Sequence, residues 1–246
     1  MNTQTINLSS KGNATLTSYI LDSSEEMSNM LKRPAVLICP GGAYRYCSGR
    51  EAEPIAMAFL SQGYNAFVLR YSVGKKTAKF PNPLNDAEQA LELIRENAQG
   101  WNICKDKVAV IGFSAGGHLA AALSTMGRVR PDATILGYPC ILDSTSDTLA
   151  EPVPSLETKV DSKTSPTFIF AASNDKTVPI INSLKYAQAL DKNQIPFEMH
   201  IFQRGGHGFS LGTKVVLSDE KAICENMGTK RWLKMCFDWL ENVFDK

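Results

Sequence analysis

A chain of 246 residues, 43% hydrophobic and 21% charged, has an ordinary globular composition and enough length to bury a deep core without disulfides or metals. Its 26 Lys and Arg against 25 Asp and Glu give a net charge of +1 with no block of like charge, which argues against a generic nucleic-acid or anionic-membrane binder. No apolar stretch is long enough for a membrane-spanning helix, and the polar first residues lack the apolar segment of a secretion signal, so a cytoplasmic protein is expected.

Residues 5–8 and 14–21 alternate apolar and polar side chains on either side of Lys11-Gly12-Asn13. That pattern predicts an antiparallel pair at a sheet edge within an N-terminal segment 1–33. After Pro34 the pattern changes. An apolar run over 35–39 predicts a buried strand, and Pro40-Gly41-Gly42-Ala43-Tyr44 follows it. Helical spacing over 50–62 ends at Gly63, and 65–71 is the next apolar run. Leu84, Ala87, Leu91 and Ile94 share one face of a predicted helix over 82–99, which Gly100 stops. The run 107–113 breaks at Ser114-Ala115-Gly116-Gly117 and leads into a predicted helix over 116–126.

Strands are expected over 133–140, 167–172 and 197–202, and helices over 180–193 and 229–243. Residues 141–165 and 210–228 follow neither period. Strands without alternation are buried on both faces, and their alternation with helices predicts a doubly wound, mostly parallel α/β sheet. The ligand site of such a sheet lies at the carboxyl ends of its strands. No repeat or linker divides the chain, so one domain over 1–246 is expected, with 141–165 long enough for a short lid loop and too short for a cap domain. Trp232, Leu233, Met235, Phe237 and Leu240 are expected to pack on the sheet, a homodimer contact being the alternative.

The six cysteines, at 39, 47, 104, 140, 224 and 236, show no C-x-x-C and no zinc spacing, so no metal is expected. Cys39 and Cys140 fall in runs that read as strands and are expected to be buried thiols.

Chemistry concentrates at Gly112-Phe113-Ser114-Ala115-Gly116, a G-x-S-x-G between a strand and a helix. A serine on so tight a turn needs small neighbours, and the turn lifts its hydroxyl out of the sheet. A serine hydroxyl needs a base. Of three histidines, His118 sits on the departing helix and reads as a packing residue, and His200 alternates within a strand. His207, in Gly205-Gly206-His207-Gly208 past the last strand, is the expected base. Asp175, just past the strand over 167–172, is the expected acid that fixes the imidazole, with Asp143 and Asp147 as alternatives. Gly42 and Ala43, joined by Ala115, can present backbone N–H groups to a developing oxyanion. Tyr44, Arg45, Tyr46 and Arg50 lie close enough in sequence to shape the alcohol side of a substrate, or to serve only as packing.

Together these segments, with Asn174-Asp175-Lys176-Thr177-Val178-Pro179, resemble the α/β-hydrolase superfamily, and more narrowly its small microbial carboxylesterases, the acetyl and acetyl xylan esterases. The likeness runs from about Pro34 to the C-terminus. It implies an eight-stranded, mostly parallel sheet and hydrolysis of short esters of small molecules through an acyl-enzyme on Ser114, without a cofactor. Acetylated sugars or xylo-oligosaccharides are the substrates it suggests. Pro40 and Ala43 depart from the H-G-G-G of some relatives and leave the backbone donors in place. A prolyl-peptidase-like enzyme and a catalytically silent binding protein are the alternatives on this fold.

Overall fold

The computed structural model describes residues 1–8, 13–217, 226 and 228–245. Strands β1 (Asn2–Asn7) and β2 (Thr15–Ile20) pair antiparallel, and β2 pairs antiparallel with β4 (Asn65–Arg70). Strands β3 (Arg33–Cys39), β5 (Ile103–Phe113), β6 (Ala133–Gly137), β7 (Thr167–Ala172) and β8 (Phe197–Phe202) complete the sheet in parallel with β4. The eight strands lie in the order β1-β2-β4-β3-β5-β6-β7-β8. The expected doubly wound α/β sheet and its antiparallel edge pair hold, and among the described residues no large cap is present.

The apolar runs lack alternation because both of their faces are covered. Leu37 and Val110 pack with α2 (Asn82–Glu96), α3 (Ala115–Met126) and α4 (Ile181–Lys192), while Ile38 and Ile111 pack with α1 (Glu53–Leu60) and α5 (Trp232–Phe244). In α5, Trp232 and Leu240 are fully buried, and the Trp232 ring stacks on Phe170 at 4.1 Å. The C-terminal apolar stripe is therefore used on the sheet.

Several boundaries differ from expectation. β5 begins at Ile103 rather than Lys107, because its polar first half pairs with β3 only at Arg33↔Ile103 before the register shifts. β6 ends at Gly137 rather than at Cys140: Tyr138 turns the chain at φ 36 and donates its N–H to Phe170 O. The helix expected over 50–62 starts at Glu53, after a 3₁₀ turn over Gly49–Glu51, with Pro54 in its first turn. Residues 141–165 contain two 3₁₀ turns, Asp143–Thr148 and Glu157–Lys159. Of the unassigned segment 210–228, residues 218–225 and 227, including Cys224, lie outside the described residues. Among the described residues no helix is long and apolar enough to cross a membrane.

Candidate active site

After β3 the chain moves outward to β4, then crosses back to β5 on the other side of β3. A crevice opens where the winding reverses, at the carboxyl ends of β3 and β5. Pro40 follows one of these ends and Ser114 the other. Ser114 takes φ 53, ψ −117, a conformation that costs on the order of 1–3 kcal/mol for a residue with a side chain. Close packing holds it there. A Cβ on Gly112 would lie 2.0 Å from Gly116 O, and one on Gly116 would lie 2.1 Å from Cys39 O. These two glycines let β3, β5 and α3 converge on the serine.

The Ser114 hydroxyl meets His207 Nε2 at 2.9 Å. His207 Nδ1 lies 2.7 Å from Asp175 Oδ2. A carboxylate oxygen only accepts, so Nδ1 carries the ring hydrogen and Nε2 is left to accept from Ser114. Asp175 is itself fixed: its Oδ1 accepts the N–H groups of Thr177 and Val178 at 2.8 and 2.9 Å, and its side chain is 1% exposed. Asp143 and Asp147 are exposed, and among the described residues neither makes a hydrogen bond or ion pair with His207. The structure thus brings Ser114, His207 and Asp175 into one hydrogen-bonded row, each from a different strand end.

Gly42, Ala43 and Ala115 lie beside this row, and among the described residues none of their N–H groups has a hydrogen-bond partner. Gly42 and Ala43 take φ 125 and 56, which turns the loop over itself so that Arg45 and Tyr46 donate back to Gly42 O. Ala115 opens α3, where the helix dipole favours negative charge.

A residue that the sequence reading passed over organises this loop. Glu51 is 3% exposed; its Oε2 accepts the Gly41 N–H at 2.8 Å, and its Oε1 accepts the Tyr138 hydroxyl at 2.6 Å. Burial raises its carboxyl above the ordinary range, against the opposing pull of those two hydrogen bonds and of nearby Arg50 and His207. The Tyr138 hydroxyl also accepts the Ser210 N–H at 3.1 Å, and Ser210 Oγ donates to Arg50 O at 2.7 Å. The Tyr138 ring packs edgewise with His207, centroids 5.1 Å apart. Its one available sequence signal was a glutamate two residues ahead of a helix-starting Pro-containing turn, which reads equally as a solvated helix start.

The remaining expected residues divide. Arg45, Tyr46 and Arg50 line a cleft of 350 Å³ together with Ser114 and His207. Tyr44 does not: it is 1% exposed, and it packs under the loop instead of shaping the cleft. Its partner is His118, also fully buried. His118 Nε2 lies 3.0 Å from Pro154 O, which can only accept, so Nδ1 takes the hydrogen of the Tyr44 hydroxyl at 3.0 Å. Burial lowers the His118 pKa to about 4, so the ring stays neutral and acts in packing, as its place on α3 suggested. His200 pairs with Glu198 at 2.7 Å on β8.

Cys140 is a buried thiol as expected but stands in the cleft wall rather than in a strand, beside Ser114 and Thr145; burial pushes its thiol up to about 12. Thr148, Leu149 and Val178 join it in that wall. Residues 141–165 thus form a side of the cleft, pinned by Ala150 N–H to Ala43 O at 2.9 Å and by Pro154 O to His118. Among the described residues no group of His, Cys, Asp or Glu is arranged to hold a metal ion.

Comparison with known proteins places this geometry among relatives. A family model described as BD-FAE matches residues 21–134. MGS-M1, an alpha/beta hydrolase enzyme from a Medee basin deep-sea metagenome library, is 48% identical with a TM-score of 0.93, over 100% of this chain and 99% of that one. The acetyl ester-xyloside bifunctional hydrolase of Caldicellulosiruptor lactoaceticus is 36% identical with a TM-score of 0.81, over 95% of this chain and 89% of that one. The acetylxylan esterase of Xylanibacter ruminicola is 30% identical over 94% of this chain and 50% of its own length. The chain spans a third to a half of the curated relatives it first matches.

Proposed function

The chain belongs to the α/β-hydrolase superfamily, beside its small carboxylesterases, and from that premise we propose that it is a serine esterase that hydrolyses short-chain, chiefly acetyl, esters of sugars. The observation that carries this reading is the row Ser114 Oγ, His207 Nε2 and Nδ1, Asp175 Oδ2, with its 2.9 and 2.7 Å spacings, opening into a cleft.

In this reading His207 Nε2 takes the Ser114 proton as Oγ attacks the ester carbonyl. The oxyanion is received by the free N–H groups of Gly42, Ala43 and Ala115. Collapse of the tetrahedral intermediate breaks the bond to the alcohol oxygen, which leaves with the proton from His207. A water, deprotonated by the same Nε2, then attacks the acyl-Ser114 carbonyl and releases the carboxylic acid. Asp175 holds the imidazole in the required tautomer and stabilises the imidazolium of both steps.

Polarity separates the two sides of the substrate. Cys140, Leu149 and Val178 offer a small apolar wall suited to an acyl methyl, whereas Arg45, Tyr46 and Arg50 face the more polar alcohol. The acetyl ester-xyloside hydrolase and the acetylxylan esterase among the relatives support acetylated xylo-oligosaccharides as the substrate class.

Labelling with a fluorophosphonate, followed by peptide mass mapping and p-nitrophenyl ester assays, tests the reading. Label at Ser114, lost in Ser114→Ala together with turnover of p-nitrophenyl acetate, is expected. Absence of label on the folded wild-type protein overturns the serine mechanism. Label with turnover of an aminoacyl-proline anilide in preference to acetate esters moves the assignment to a peptidase.

A further inference from the structure

The cleft carries two guanidinium groups that nothing in the fold consumes. Arg70, Arg95, Arg128 and Arg130 each hold a carboxylate in an ion pair. Arg45 and Arg50 hold none and make no side-chain hydrogen bond among the described residues, although both are exposed and both line the cleft beside Ser114. The acidic groups at the site are already engaged: Glu51 by Gly41 and Tyr138, Asp175 by His207, Thr177 and Val178. The wall that Arg45 and Arg50 line therefore carries two exposed guanidinium groups without an ion-pair partner among the described residues, beside the buried Glu51 carboxyl, in a chain whose net charge is only +1.

Position adds to charge. A Cβ built on Gly208 would lie 3.3 Å from Arg50 Nη2, so this guanidinium rests over the backbone next to His207. The Arg50 backbone is anchored by the hydrogen bond from Ser210 Oγ to its carbonyl. Tyr46, 59% exposed, lines the same cleft and offers a flat ring on which a sugar can stack. A guanidinium presents a planar fork of donors that matches a carboxylate or phosphate.

We infer that this wall is a subsite for an anionic alcohol moiety, a sugar ring bearing a carboxylate or a phosphate near the ester, which Arg45 and Arg50 bind while Tyr46 stacks on the ring. The inference rests on the esterase reading and narrows its substrate class to esters of acidic sugars. The ester bond broken and the water consumed are those already given; the anion remains on the departing alcohol.

The probes are a mono-O-acetylated methyl glucuronoside, its neutral glucoside counterpart and the corresponding 6-phosphate. Wild-type kcat/KM for the uronate is expected to exceed that for the neutral sugar about tenfold, mostly through KM, because charge-assisted hydrogen bonds are lost in the neutral ring. The preference should shrink as salt rises from about 0.02 M to about 0.5 M, and should collapse in the Arg45→Gln, Arg50→Gln double variant. Calorimetric titration of Ser114→Ala with the same compounds reads affinity without turnover. Equal affinity of Ser114→Ala for the uronate, phosphate and neutral sugars overturns the subsite, even if wild type hydrolyses all three. Tighter binding of an anionic sugar supports it, and the stronger of the two anions identifies the source. Hydrolysis of none of the three by wild type, beside selective binding by Ser114→Ala, removes the esterase reading and leaves the anion subsite standing.

Discussion

Glu51 Oε1 sits 2.6 Å from the phenol oxygen of Tyr138, and this contact joins the loop after β3 to the turn after β6, whose Tyr138 hydroxyl in turn meets Ser210 in the loop that carries His207. From Gly41 N–H through Glu51 and Tyr138 to Ser210 N–H, every link is a buried hydrogen bond. Removing a single hydroxyl should therefore disturb both loops together. Tyr138→Phe leaves Glu51 Oε1 and Ser210 N–H without that partner, at a cost of about 1–3 kcal/mol. Its kcat on p-nitrophenyl acetate should fall about tenfold with little change in KM, since the donors and the base are displaced in the transition state more than the substrate is. Urea unfolding alongside steady-state kinetics checks this; an unchanged kcat beside the loss of stability would refute the coupling.

Glu51 also gives a pH signature. Its carboxyl is raised from the ordinary 4.5 by burial, so the folded chain keeps this proton longer than the unfolded chain does. Its contribution to stability is full below that ordinary value and diminishes as pH rises through the raised one. Glu51→Gln should flatten that decline in a series of urea melts across the acidic range. A slope identical to wild type would mean that the carboxyl titrates normally.

His118 acts in the opposite sense. Its pKa drops from 6.5 to about 4, so the unfolded state binds the extra proton first. The stability it contributes is complete above pH 6.5 and is lost as pH falls toward about 4, on the order of 3 kcal/mol over the window. Thermal melts between these limits should show wild type losing more than His118→Gln, which starts less stable at neutral pH for want of the Tyr44 and Pro154 contacts. Parallel curves would contradict the assignment of a neutral, buried ring.

The strands and the tight turn at Ser114 were open to reading for one reason: both are written in local pattern. The bounds of β7 and β8 match the strands expected over 167–172 and 197–202 residue for residue, and Gly112, Ser114 and Gly116 mark a close approach by their smallness alone. What escaped was written in contacts between distant segments. Glu51 reaches Tyr138 across 87 positions, and His118 reaches Tyr44 across 74. Burial of a charged or aromatic side chain at a turn has no period to betray it. Tyr44 was grouped with Arg45 and Tyr46 because adjacency in sequence suggested a shared wall, yet the left-handed turn at Ala43 and Tyr44 sends it inward. The polar half of β5 was lost for a related reason, as Cys104 to Asp106 resemble a loop until Arg33 is seen opposite Ile103.

Gly116→Ala tests the close approach directly. The added methyl would lie 2.1 Å from Cys39 O and 2.3 Å from Pro40 O, both backbone atoms that cannot step aside. Loss of stability of about 3 kcal/mol or more is expected, with esterase activity lost at temperatures where the variant stays folded. A variant with wild-type Tm would show that α3 can slide away from β3.

The apolar wall should set the acyl range. Leu149 is 7% exposed and lines the cleft. Leu149→Ala should move the optimum in a p-nitrophenyl ester series toward acyl chains longer by one or two carbons, with about tenfold less discrimination between acetate and butyrate. An unmoved optimum would place the acyl group elsewhere.

The hydrogen bond from Ala150 N–H to Ala43 O has a consequence for engineering this scaffold. It fastens the wall proposed to meet the acyl chain to Ala43, the residue whose own N–H, one peptide earlier, is proposed to receive the oxyanion. Selectivity and rate are thereby yoked mechanically: a variant that swings 141–165 outward to admit bulkier acids drags a donor with it. Broader substrate scope is thus best sought by shortening side chains in place, with the segment's backbone left untouched.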